Sequence, residues 1–159
     1  MSIATPETVA DLKPEVIENL KKIRQANIDS ADGFTEAGKE LSDPQLAEKF
    51  QKWAQQRRAN STELGNLIAT NGEEVCREGS WLAALHRSYI SLKTALSSDD
   101  KQAVLNEAEA GEDHIKGAYE EVLKETPGSA VNDVLQRQYA EVKAVHDRVR
   151  DLRDACKCS

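Results

Sequence analysis

Apolar residues return every three or four positions through four long stretches of this chain, and turn-forming residues separate the stretches. A helix uses that period to build one buried face, whereas a strand alternates every second residue. The first stretch is expected from about Asp11, an N-cap with Pro14 inside the first turn, and carries Val16, Ile17, Leu20, Ile23, Ala31, Phe34 and Leu41. It stops at Ser42-Asp43-Pro44, where Asp43 caps and Pro44 opens a second helix running to about residue 70. So short a connection makes the two helices antiparallel neighbours. The second carries Leu46, Phe50, Trp53, Ala54, Leu64, Leu67 and Ile68 and ends at Asn71-Gly72, a left-handed stop signal.

A shorter amphipathic helix is expected over about 80–96, with Trp81, Leu82, Leu85, Tyr89, Leu92 and Leu96 on one face. Its length, about 24 Å at 1.5 Å per residue, carries a chain from one end of a bundle to the other. A third long helix follows over about 99–124, and Pro127-Gly128-Ser129 separates it from a fourth over about 130–154. The fourth turns Val131, Val134, Leu135, Val142, Val145, Val149 and Leu152 inward. Four long helices with one long crossover between the second and third form the ferritin-like connection pattern. The expected fold is therefore all-α: a ferritin-like four-helix bundle with an additional crossover helix. The low aromatic share, 4%, beside 31% charged residues suits long polar-faced helices.

At 159 residues one domain is expected: a flexible arm over 1–10, the bundle over 11–154 and a cysteine-containing tail over 155–159. A net charge of -7 and scattered basic residues argue against nucleic acid as a partner. The first residues, MSIATPETVADLK, have neither the basic start nor the apolar core of a signal peptide, and no apolar run is long enough to span a membrane. A cytoplasmic location is expected.

One helix face contains a charge. Val104, Leu105, Ala108, Ile115, Tyr119, Val122 and Leu123 share it, and Glu112 falls in its middle. The other helices repeat the oddity: Asn27 in the first, Arg57 with Asn60 a turn on in the second, and Gln138 followed by Glu141 in the fourth. Each lies near the middle of its helix, so together they form one polar layer inside an apolar stack. Di-iron carboxylate bundles place a Glu on each of two helices and a Glu-x-x-His pair on each of the other two. Here the same single-pair-single-pair pattern survives with most ligands replaced, and no Glu-x-x-His occurs anywhere.

An arginine at a ligand position puts a fixed positive charge where metal ions would sit. The expectation is a buried network in which Arg57 pairs with Glu112, with Glu141 as a further partner, while Asn27, Asn60 and Gln138 supply hydrogen bonds. No cofactor is expected on this reading. The alternative is iron or another divalent metal held by Glu109, Glu112 and Glu141, or a soft metal held weakly by Cys156 and Cys158. His146 lies about 140° around its helix from Glu141 and is read as an edge histidine bonded to a neighbouring helix. His86 gets the same reading, and His114 is read as solvated. No catalytic residue is expected, since no serine or cysteine is placed beside a histidine by motif and no glycine-rich phosphate loop occurs. Cys76 stands alone on a polar loop.

The segments DGFTEAGKEL, FQKWAQQR, GSWLAALHRSYISLK, LNEAEAGEDHIKGAY and QRQYAEVKAVHDRVRDLRD resemble an uncharacterised bacterial family of four-helix-bundle proteins related in fold to ferritin. The likeness runs over about 12–154 and is most specific in GED, LHR and HDRVRDLRD; the CKCS ending lies outside it. It implies a ferritin-like bundle and no established activity. The expected role is a non-enzymatic structural or protein-interaction module, with a homodimer or another protein docking on the helix faces. The alternative is a metal-binding or oxidative-stress protein.

Overall fold

A computed structural model describes residues 6–73 and 101–157. They form α1 (Pro14–Glu40), α2 (Pro44–Thr70), α3 (Lys101–Glu125) and α4 (Asn132–Lys157). Among the described residues the only extended pairing is a bridge between Thr8 and Asp11. The protein is an all-α helical bundle, and no described helix is long and apolar enough to cross a membrane. The crossover helix expected over about 80–96, with His86, lies outside the described residues, as do Cys76 and Cys158.

The helix ends follow local chemistry. Asp43 accepts hydrogen bonds from the backbone N–H groups of Gln45 and Leu46, and Pro44 occupies the first helical position, where its missing donor costs nothing. At the far end of α2, Gly72 takes the left-handed φ of 76° that a side chain would oppose. Two boundaries differ from the sequence expectation. Asp11 does not cap α1: its N–H closes a turn onto the Thr8 carbonyl, and the helix starts at Pro14 without a side-chain cap. At the other end of the chain α4 continues to Lys157, so Cys156 sits in its last turn, half-buried against Leu152 and the apolar cluster there. The described part of the arm is docked, because Glu7 accepts hydrogen bonds from the Ser129 hydroxyl and the Ala130 N–H at the α3–α4 corner.

Cross-helix contacts fix the directions. Asn19 meets Glu125 and Ser30 meets Glu112, so α1 and α3 are antiparallel. Asp113 meets His146 and Glu120 meets Tyr139, so α3 and α4 are antiparallel. Lys101 pairs with Asp43 while Arg57 pairs with Glu112, so α2 and α3 run parallel and begin at the same end.

Two apolar clusters fill the interior. One gathers Leu20, Ile23, Leu64, Ile68, Ile115, Tyr119 and Leu135. The other gathers Phe34, Phe50, Ala54, Val104, Leu105, Val145 and Val149, with Phe34 and Phe50 edge to face at 5.1 Å between ring centroids. Along α1, α2 and α3 a polar stretch separates the residues of the two clusters, Asn27–Ser30, Arg57–Ser61 and Glu112 in turn, whereas on α4 the buried Gln138 lies between Leu135 and Val142 of the first cluster.

Candidate functional site

The centre of the bundle is a charge pair inside hydrocarbon. Arg57 of α2 is fully buried and its Nη2 donates to Oε2 of Glu112 on α3 at 2.5 Å. Ser30 of α1 closes a small ring: its Oγ accepts from Arg57 Nε at 3.2 Å and lies 3.4 Å from the other Glu112 oxygen. Burial pushes the Glu112 carboxyl above the usual range, and the Arg57 charge and hydrogen bond, with Ser30, pull the other way. Two ions taken out of water carry a desolvation cost that mutual attraction only repays with good geometry, so the pair adds little net stability. Removing one partner is a different matter, since the other is left buried and unpaired.

A second chain of hydrogen bonds shares this region. Asn27 Nδ2 donates to the Tyr119 hydroxyl at 2.8 Å, the hydroxyl donates to Gln138 Oε1 at 2.9 Å, and Gln138 Nε2 donates to Glu63 Oε1 at 2.7 Å. Glu63 is in turn held by Arg137, which lowers its carboxyl below the ordinary range against partial burial, with Gln138 helping. The chain thus links all four helices and ends in a solvated ion pair. Burial drives the Tyr119 hydroxyl pKa well up, which keeps it a neutral donor. Asn60 is buried, and its backbone carbonyl accepts a long 3.5 Å contact from Gln138 Nε2. Its Nδ2 and the Asn27 Oδ1 have no hydrogen-bond partner among the described residues.

Glu141 is half-buried, and among the described residues it makes no hydrogen bond or ion pair; Tyr119 and Arg137 sense it only as a nearby charge. The carboxylates Glu109, Glu112 and Glu141 do not converge on one point. Glu112 is committed to Arg57, and Glu109 lies along the α3–α4 seam in a close ion pair with Arg153.

A different group comes together on that seam. Glu109 and Asp113 stand one turn apart on α3, His146 faces them from α4, and their ligand atoms lie within 4.8 Å of one another. His146 Nε2 is 2.5 Å from Asp113 Oδ1, and Nδ1 is 3.1 Å from Asp147 Oδ1. Lys143 and then His146 hold the Asp147 carboxyl down at about 2. His114 is exposed. The spacing of apolar residues gave no sign of Ser30, Glu63, Asp113 or Asp147, and Tyr119 counted there as an apolar residue. The signal within reach was the Glu109–Asp113 spacing, one helical turn on the flank of a buried face.

The fold and its centre define an all-α bundle built around a buried guanidinium–carboxylate pair. The chain belongs to the family described as Domain of unknown function (DUF2383), whose model matches residues 15–125. The match takes in α1, α2 and α3, with Ser30, Arg57 and Glu112, and stops short of α4, which supplies Gln138 and His146. No curated protein matches the chain significantly.

Proposed function

We propose that the protein is a non-enzymatic, ferritin-like four-helix bundle serving as a structural or protein-interaction module, its central metal site replaced by the Arg57–Glu112 pair. One observation carries this: a fully buried guanidinium sits against the one fully buried glutamate among the described residues. A permanent cation there repels divalent ions and uses the carboxylate they would need. The parallel course of α2 and α3, which puts the end of one and the start of the other at opposite ends of the bundle, supports the ferritin-like relation. A bacterial, cytoplasmic setting and a homodimer or protein partner on the outer helix faces belong to the same proposal. A second reading, a metal-binding or oxidative-stress protein, keeps one support, the grouping of Glu109, Asp113 and His146.

Iron content after anaerobic ferrous loading tests the first reading, comparing the wild type with the Arg57→Met/Glu112→Leu double variant, in which no unpaired charge is left behind. Equal content in both is expected. Iron bound by the wild type and lost in the double variant would overturn it.

A further inference from the structure

We propose that the α3–α4 seam is a binding site for a single first-row divalent cation, with Glu109, Asp113 and His146 as ligands and Asp147 orienting the imidazole. The inference goes beyond the functional reading above and concerns different carboxylates from the buried pair.

The argument begins with the imidazole. His146 is buried at 9% exposure and has a carboxylate at each nitrogen. Asp147, itself paired with Lys143 at 2.8 Å and Arg150 at 3.4 Å, lies against Nδ1, where its carboxylate can accept a proton from that nitrogen. On the other side of the ring Nε2 faces an Asp113 oxygen 2.5 Å away. A ring nitrogen and a carboxylate oxygen at that distance hold a positive charge between them, either a proton or a metal ion. Glu109 brings a second carboxylate to the same point from one turn away. A carboxylate behind one ring nitrogen and a metal in front of the other is how proteins fix a histidine ligand.

One imidazole and two carboxylates suit Zn²⁺, Fe²⁺ or Mn²⁺, and the three-ligand set leaves positions for water. Bonds of roughly 2.0–2.2 Å to a tetrahedral ion separate its donors by about 3.3–3.6 Å. The His146–Asp113 contact therefore opens slightly and Glu109 swings inward. The swing releases Arg153, which keeps Asp154 at 2.9 Å as its partner. The Asp113 side chain is 63% exposed, so the site opens directly to solvent.

Zinc titration of the full chain tests this, read by competition with a chromophoric chelator, in a Cys76→Ser/Cys156→Ser/Cys158→Ser background that silences thiol binding. One equivalent of Zn²⁺ is expected. Asp113→Asn and His146→Gln should each weaken binding roughly tenfold or more, and Asp147→Asn roughly 10- to 100-fold. Arg153→Gln should tighten binding by freeing Glu109, an outcome that a purely structural ion pair does not give. His114→Gln should change nothing. Circular dichroism checks that each variant folds, and Asp113→Asn, at an exposed position, keeps the test alive if His146→Gln does not. Absence of one-to-one binding, or binding indifferent to Asp113→Asn, would overturn the proposal. Zinc binding retained in the Arg57→Met/Glu112→Leu variant separates this site from the bundle centre.

Discussion

Glu112 and Asp113 are consecutive residues on α3, each within 2.5 Å of a nitrogen on another helix, yet they work in different solvents. Glu112 is 1% exposed and meets a guanidinium, which is always charged; the Asp113 side chain is 63% exposed and meets an imidazole, which is not. The buried pair is shut off from solvent and joins α2 to α3. The seam pair, on the proposal above, takes up a metal ion, because water reaches Asp113. One step of about 100° around a helix separates architecture from a candidate binding site.

The largest effect should come from breaking the buried pair on one side. Arg57→Met or Glu112→Leu alone leaves an uncompensated charge and should destabilise by roughly 3–5 kcal/mol in urea unfolding. Tyr119→Phe should follow, at about 1–3 kcal/mol, because it leaves both Asn27 and Gln138 short of a partner inside the layer.

Asp29 sharpens the comparison as a half-buried carboxylate without a cation bonded to it among the described residues. Burial pushes its carboxyl up to about 6; the Gln25 amide opposes this and Asp32 adds to it. The folded state therefore holds that proton more tightly than the unfolded chain, and stability falls as pH rises from about 4 to about 6. Asp29→Asn should raise the Tm at neutral pH, with the gain vanishing near pH 4; a gain independent of pH would contradict this. The smallest effect is expected for Asp113→Asn, whose unfolding free energy should stay within about 0.5 kcal/mol of wild type, as for most exposed positions.

Much of this was legible in the sequence. The helical period placed Asn27, Arg57, Glu112 and Gln138 on apolar faces, and all four are buried. Asp43-Pro44 and Asn71-Gly72 marked helix ends because capping and left-handed turns depend on residues a few positions away. Periodicity gives an angle around each helix but not the axial register between helices. Nothing in the spacing therefore told that Asp113 would meet His146, or that Glu109 would be taken by Arg153. Glu141 shows the angular limit: a residue at the edge of a face lies within one step of solvent, and it is half-buried without a partner among the described residues. Hydroxyls were harder still, since Ser30 and Tyr119 fit an apolar face until a partner reaches them.

The most direct test of the central claim, that Arg57 serves as the cation for Glu112, is a double-mutant cycle on unfolding free energy with Arg57→Met, Glu112→Leu and the two combined. The account predicts that the double variant recovers much of what either single substitution loses, because an apolar pair of similar volume replaces the ions. Losses that simply add would contradict it and return both residues to separate roles.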